Sequence, residues 1–321
     1  MEHPEAVNLF RAYPSLFGID YTYKTNLCGM PLVELIGVTP VGKNFTIAYA
    51  LVETETTEGY TWVLEKLRSL LSDDVVPNAI VTDREKGLIA AKPIVFPDTY
   101  HLLCTFHIYN AVEARTREAV GDDDQVNVIT YGRWAKVVDA GTEQQMLRAW
   151  DDLQVRWSRR APRLIRYIAE TWIVHKEKFC RCYTNKVTYF GNRATSRVEV
   201  AHVVLKDWLS SSNLSLDSIW TRINALLIGQ HVEINKALQD SIGTQFHEHH
   251  GPLFSLLSGH VFKRALRLMH AEWTRGVTLG AGLVGDWGCI YRLTHGLMCI
   301  YELYELRSQD RRVHLDDIHI F

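Results

Sequence analysis

The sequence lacks the features of a membrane-spanning or a disulfide-rich secreted protein. None of its apolar runs approaches the roughly 18 uninterrupted residues that a membrane-spanning helix needs. The first residues have neither the basic nor the apolar part of a signal peptide, which favours an intracellular protein. The six cysteines form no CxxC pair, so we expect reduced thiols and no structural zinc. The 321 residues, 47% of them hydrophobic, suffice for one large core or two domains.

Acidic and basic residues nearly cancel, and the net charge of −2 gives no overall bias toward nucleic acid. One segment departs from this balance, because residues 156–197 contain eleven basic and two acidic side chains. Such an excess is either a solvated helix surface or a site for phosphate-backbone contacts, and its size favours the second interpretation. The candidate nucleic-acid contacts are Arg159, Arg160, Arg163, Arg166, Arg193 and Arg197.

Three acidic residues stand out by their setting. Asp20 lies inside the strand-like run 16–23, where a buried carboxylate is costly unless a positive group binds it. Asp83 ends the apolar run 79–83 and precedes a helical pattern, so a helix cap is the alternative to a functional role. Glu199 has the spacing of a capping box, so a helix cap is also the alternative to a functional role for this residue. Carboxylates from neighbouring strands and a facing helix are also the ligands that two Mg²⁺ or Mn²⁺ ions need.

Apolar runs and turn signals predict the order β-β-β-α-β-α-β-α for the first part of the chain. The predicted strands are 16–23, 31–38, 45–52, 79–83 and 100–106. Residues 120–187 show helical spacing and no strand pattern. Their apolar positions are Trp134, Val137, Val138, Leu147, Trp150, Leu153 and Trp157, and we expect the tryptophans to form a core rather than stack on bases. Further helices are predicted at 216–238 and 254–273.

This order is the one expected for a ribonuclease H-like fold, an α/β class with a five-stranded mixed sheet and flanking helices. Its first and fourth strands would present Asp20 and Asp83 side by side, and a helix after the fifth strand would supply the third acid. We therefore expect a core interrupted by an all-helical insertion and followed by a helical C-terminal region. The predicted divisions are core 1–119, insertion 120–187, third-acid helix 188–212 and C-terminal region 213–321.

Four segments together resemble the transposase domain of Mutator-like elements (MULE), especially its fungal branch. They are GIDYTYKTN at 18–26, VTDRE at 81–85, LLCTFHI at 102–108 and FGNRATSRVE at 190–199. The resemblance implies that the DDE triad falls on Asp20, Asp83 and Glu199. It also implies that the C-x-x-H signature of the family falls on Cys104 and His107. Two ligands are too few for a zinc site. His107 therefore either orients a phosphate or a ligand carboxylate, or packs in the core.

The resemblance further implies Mg²⁺- or Mn²⁺-dependent cleavage and strand transfer of DNA, with element ends and target DNA as partners. It implies a homo-oligomer in the active state, a nuclear location and no membrane association. Members of the family carry a DNA-recognition domain ahead of the core, whereas nineteen residues precede Asp20 here, so we expect terminal-repeat recognition to be absent. Two alternatives stay open: a catalytically silent domesticated derivative that binds DNA as a regulator, and a ribonuclease H-like nuclease that acts on RNA.

Overall fold

The computed structural model describes residues 2–23, 25–192, 196–211, 214–243, 252–257, 259–279 and 290–319, with the backbone alone for residues 196–199 and 242–243. Within these ranges five strands form a mixed sheet in the order β3-β2-β1-β4-β5. The strands are β1 Leu16–Thr22, β2 Leu32–Val38, β3 Asn44–Leu51, β4 Ala79–Thr82 and β5 Tyr100–Leu103. The first three are antiparallel neighbours, and β4 and β5 run parallel to β1. This sheet, with helices flanking it, confirms the predicted ribonuclease H-like core.

The sheet separates two apolar layers because successive side chains of a strand face opposite sides. Phe17 and Ile19 of β1 belong to a buried cluster that includes side chains of three helices: α1 Pro4–Ala12, α2 Thr57–Arg68 and α3 Lys86–Val95. Leu16, with the opposite orientation, packs in a separate cluster with Val81 and Tyr189. Asp20 has the same orientation as Leu16, so it faces the side of the sheet opposite to α1, α2 and α3.

The first helices differ in detail from the prediction. Helix α1 was not predicted from the sequence. Helix α2 begins after Thr56, whose hydroxyl accepts a hydrogen bond from the Gly59 amide at 3.2 Å. Trp62 of α2 is 49% exposed, although the next residue, Val63, is buried. The predicted fifth strand is too long, because β5 ends at Leu103 and Cys104 caps the next helix.

Residues 105–184 are helical, as predicted for most of this segment. Trp134, Trp150 and Trp157 are buried together in one apolar cluster, which confirms their assignment to a core. Leu147 was predicted in the same apolar set but is 44% exposed. Asp122 caps the short helix that follows it. The elements are α4 Thr105–Val120, α5 Asp123–Asn127, a π-helical turn Val128–Trp134, α6 Ala135–Val138, α7 Glu143–Trp157, α8 Pro162–Thr171, a 3-10 helix Ile173–Lys178 and α9 Arg181–Thr184.

The remaining described elements are helical. They are α10 Ser196–Leu209, α11 Leu216–Gly243, a 3-10 turn Pro252–Phe254, α12 Lys263–Leu279, α13 Ile290–His295, α14 Ile300–Ser308 and a 3-10 turn Leu315–Asp317. The helix predicted over 254–273 therefore begins later, at Lys263. Leu205 of α10 and Ile223 of α11 share a buried cluster with Leu32 and Tyr49 of the sheet. Helices α10 and α11 thus cover the face of the sheet that presents Asp20. In the described part of the chain, no helix is long and apolar enough to span a bilayer.

Candidate active site

Asp20 and Asp83 come together at the carboxyl ends of two adjacent parallel strands. Ile19 of β1 pairs with Thr82 of β4. The next residues along the two strands are Asp20 and Asp83, and neighbouring strands lie about 4.8 Å apart. Both carboxylates line one cleft of about 480 Å³. Its other polar lining residues include Tyr21, His107, His202 and Lys206.

Asp20 is a buried carboxylate, as its sequence setting predicted. The residue is 5% exposed, and its Oδ1 accepts a hydrogen bond from the backbone amide of Tyr21 at 2.9 Å. Removing a carboxylate from water is costly unless hydrogen bonds or a positive charge compensate for it. The surroundings of Asp20 therefore favour a cation in the cleft.

A second buried carboxylate, Glu34, lies opposite Asp20 in the antiparallel register of β1 and β2. Glu34 is fully buried, and its Oε1 accepts hydrogen bonds from the hydroxyls of Thr46 at 3.1 Å and Tyr49 at 2.8 Å. Burial raises the pKa of Glu34 to about 8. The two hydrogen bonds oppose this increase, and the charge of Asp20 adds to it. The neutral acid is thus the favoured form of Glu34 in the folded chain.

Asp83 does not act as the cap of the helix that follows it. The N-cap of α3 is Glu85, whose side chain accepts the amide of Gly87 at 3.1 Å. Asp83 Oδ1 accepts the amide of Glu85 at 3.2 Å. Burial raises the pKa of Asp83, while nearby His107 and the Glu85 amide lower it. Burial also raises the pKa of Tyr21, and the charge of Asp83 adds to that increase, so the Tyr21 phenol stays protonated and can donate a hydrogen bond.

The C-x-x-H signature forms the part of the site beside Asp83. Cys104 is 1% exposed at the N-cap of α4, and its Sγ accepts the amide of His107 at 3.5 Å. The amide of Cys104 donates to the carbonyl oxygen of Thr82 at 2.7 Å. These two contacts fix the first turn of α4 against the end of β4. They explain why His107 reaches the cleft that Asp83 lines.

Helix α10 carries Glu199, and this helix packs on β1 and β2 beside Asp20. The side chain of Glu199 lies outside the described part of the structure, as does that of Arg197, and Arg193 is outside it altogether. His202 follows Glu199 by three residues in the same helix. Its Nε2 lies 3.3 Å from Oε2 of Glu34. Position 199 is thus about one helical turn from a residue that lines the cleft.

The carboxylate oxygens of Asp20 and Asp83 are suitable ligands for Mg²⁺ or Mn²⁺. Asp20 is almost fully buried, and burial also disfavours the charged form of Asp83. A hard divalent cation between the two carboxylates would offset both costs. Carboxylate oxygens are the ligands that these ions prefer over imidazole or thiolate. Asp20 and Asp83 can therefore hold a cation.

Four arginines of the basic segment face solvent at the corner between α7 and α8 and along α8. They are Arg159, Arg160, Arg163 and Arg166. Within the described residues, no carboxylate forms an ion pair with any of these four. Two other members of the segment are already paired, because Arg156 binds Asp152 at 2.6 Å and Arg181 binds Asp139 at 2.9 Å. The segment therefore offers less free positive charge than its composition indicated.

Sequence reasoning missed three polar residues of this region: Glu34, His202 and Lys206. Glu34 had a usable signal, since an acid inside the apolar run 31–38 is as unusual as Asp20 in its own strand. His202 and Lys206 lie on α10 after Glu199, and only the packing of that helix on the sheet brings them to the cleft. Lys206 is exposed there, which suits contact with a phosphate.

Residues 16–111 match the family described as the MULE transposase domain. The PKS-NRPS hybrid synthetase cheA of Chaetomium globosum is 24% identical to this chain in the aligned region. That region covers 94% of this chain and 7% of the synthetase. Two proteins of Arabidopsis thaliana match shorter parts. Protein FAR1-RELATED SEQUENCE 6 is 34% identical over 29% of this chain and 13% of its own length. Protein FAR-RED IMPAIRED RESPONSE 1 is 26% identical over 32% of this chain and 12% of its own length.

The chain thus spans a small fraction of the curated relatives that it matches. The matched segment 16–111 contains the whole five-stranded sheet together with Asp20, Asp83, Cys104 and His107. The segment that matches the family is also the segment that forms the five-stranded sheet. Residues 16–111 are therefore a MULE-type transposase domain.

Proposed function

We propose that this chain is a metal-dependent DNA phosphoryl transferase of the DDE type, which cleaves a DNA strand and joins the freed 3′ end to a target. The observation that supports this most strongly is the pairing of Asp20 and Asp83 at the ends of β1 and β4. Asp20 is buried and Asp83 is partly buried, both line one cleft, and the match to the MULE transposase domain covers both.

In this proposal Asp20, Asp83 and Glu199 hold two Mg²⁺ or Mn²⁺ ions. Bound there, such ions would lower the pKa of the attacking water or 3′-hydroxyl and stabilise charge on the transferring phosphoryl group. Asp20 is fixed in a central strand and Asp83 at the end of its parallel neighbour, so the separation of their carboxylates is set by the rigid sheet. Glu199 would join them from α10, a helix that packs on β1 and β2.

The other residues of the cleft would orient the DNA. His107 lies close enough to Asp83 to lower its pKa, and in its charged form it could pair with a phosphate. Lys206 is exposed at the same cleft and would contact the backbone. The protonated Tyr21 phenol can donate a hydrogen bond to a phosphate oxygen. The four exposed arginines near α8 would bind the backbone further along the duplex.

The test is a cleavage and strand-transfer assay with Mn²⁺ on duplexes that carry candidate terminal repeats or a scrambled sequence. Asp20→Asn, Asp83→Asn and Glu199→Gln should each abolish cleavage. DNA binding and thermal stability should stay close to those of the parent chain, because each change removes a charge that the metal-free site tolerates poorly. Asp73→Asn is the matched control, since Asp73 is an exposed residue in the loop after α2.

Three results would overturn the proposal. DNA binding without any cleavage would favour the silent regulatory derivative. Cleavage of an RNA strand with no action on DNA would favour the nuclease alternative. Normal cleavage by the Asp20→Asn variant would show that the reaction does not take place in this cleft.

A further inference from the structure

The structure brings together three side chains of metal-ligand type away from the cleft: His3, Glu5 and His231. His3 caps the N-terminus of α1, Glu5 lies in its first turn, and His231 is in the middle of α11. One ligand atom from each residue lies within 4.8 Å of those of the other two. The cluster therefore joins two segments separated by more than two hundred residues of sequence.

The distances suit a small first-row cation. Nδ1 of His231 lies 3.4 Å from Oε2 of Glu5. Two ligand atoms at about 2.1 Å from a tetrahedral Zn²⁺ are about 3.4 Å apart, which is the same separation. The rings of His3 and His231 have their centroids 5.0 Å apart and are inclined by 43°. A modest side-chain rotation of His3, which is only partly buried, would complete a three-ligand set.

His231 supplies an independent reason to expect a ligand. Its side chain is 2% exposed, and within the described structure neither ring nitrogen has a hydrogen-bond partner. The approach to Glu5 is close, but it lacks the alignment of a hydrogen bond. Buried polar atoms of native proteins almost always have partners.

We propose that His3, Glu5 and His231 form a Zn²⁺ site with a water molecule in the fourth position. Two imidazoles and one carboxylate are a ligand set of zinc proteins, and imidazole disfavours Mg²⁺. The site is thus chemically separate from the all-oxygen site proposed in the cleft. It also departs from the expectation that the chain has no zinc, because that expectation considered cysteine spacing and not histidines brought together by the fold.

The bound ion would hold α1 and α11 together at the edge of the sheet. Helix α1 packs on β3, where Glu2 forms a bridge with Ala48. Helix α11 also covers β3, where the side-chain oxygen of Gln230 accepts the amide of Thr46 at 2.9 Å. His231 follows Gln230 directly. A metal at this point would tie the two helices that protect the same edge strand.

The experiment is a titration of the full chain with Co²⁺ as a spectroscopic probe for Zn²⁺, in millimolar Mg²⁺ to occupy oxygen sites. Every chain in this experiment, including the parent chain with which the variants are compared, carries His247→Ala, His249→Ala and His250→Ala. These changes prevent the histidine-rich segment from binding the probe. We expect one Co²⁺ with visible ligand-field bands that Zn²⁺ displaces. His3→Ala and Glu5→Ala should each weaken binding by at least about tenfold, since even the loss of an outer-shell partner costs about 10–100-fold.

His260→Ala is the control, because His260 is an exposed histidine outside the cluster. It should leave both the bands and the affinity unchanged. His3 and Glu5 lie at the surface of α1, so their variants keep the test valid even if changing the buried His231 impairs folding. Equal Co²⁺ affinity and equal spectra in the parent, His3→Ala and Glu5→Ala chains would overturn the proposal. So would failure of the parent chain to bind Co²⁺.

Discussion

Replacing Glu34 by Gln should change how the stability of the metal-free protein depends on pH. Glu34 is fully buried, and burial raises its pKa from 4.5 to about 8. Gln keeps the size of the side chain and an oxygen that can accept from Thr46 and Tyr49. The substitution therefore removes the titration and leaves the packing nearly unchanged.

The direction in which stability changes with pH follows from proton binding. Below about pH 4.5, Glu34 is protonated in both the folded and the unfolded chain and contributes no pH dependence. Between there and about pH 8, the folded chain retains a proton that the unfolded chain has lost, so stability falls as pH rises. At 1.36 kcal/mol per pKa unit, the whole window corresponds to about 5 kcal/mol, of which about 2–3 kcal/mol falls between about pH 5 and about pH 7.

His202 lies 3.3 Å from Glu34, so the proton belongs to the pair rather than to one residue. The measured quantity is therefore the difference between the two chains and not an assigned pKa. Urea unfolding in the presence of a chelator, at several pH values across this range, gives the free energy of unfolding for each chain. The wild-type chain should lose about 2–3 kcal/mol more than Glu34→Gln between about pH 5 and about pH 7.

The control is Glu58→Gln, which changes an exposed acid in the first turn of α2. It should leave the wild-type pH dependence intact. If the curves of the wild-type and Glu34→Gln chains run parallel over this range, the reasoning about Glu34 is wrong.

Three further predictions follow from burial and charge. Trp134→Ala should lower the free energy of unfolding, measured with urea, by about 3–5 kcal/mol because Trp134 is fully buried. The control Val155→Ala, at an 82% exposed position, should change it by less than about 0.5 kcal/mol. Glu199→Gln should stop cleavage without lowering Tm, and normal cleavage with a lower Tm would favour the capping role. Alanine at the four exposed arginines should reduce the slope of log affinity for DNA against log salt by up to about 3–4, and an unchanged slope would locate the DNA elsewhere. These four are Arg159, Arg160, Arg163 and Arg166.

The sequence predicted the sheet well because its signals are local. Each strand of the core is an apolar run between turns, so the predicted strands over 16–52 agree with the structure to within a residue or two. The fifth strand was predicted too long because Thr105 and Phe106 favour strands, yet Cys104 ends the strand by capping α4. Asp20 and Asp83 were found for the same local reason, since each interrupts or ends an apolar run.

The errors arose where tertiary packing decides the outcome. Leu147 has helical spacing with other apolar residues, but spacing does not say which side of a helix meets the core. The apolar run around Glu34 marks it as unusual, but only the register of β1 and β2 shows that it lies opposite Asp20. His3 and His231 are neighbours because α1 and α11 pack on the same strand, a contact that no local pattern indicates.

The central claim is that Asp20 is a ligand of the metal ions that cleave DNA, and a change of metal preference tests it most directly. In Asp20→Cys a thiolate replaces the carboxylate, and thiolates suit softer ions and bind Mg²⁺ poorly. Asp73→Cys serves as the control and should cleave DNA with either metal. The account predicts that Asp20→Cys is inactive with Mg²⁺ and recovers cleavage with Mn²⁺. Equal activity of Asp20→Cys with both ions, or no activity with either, would contradict it.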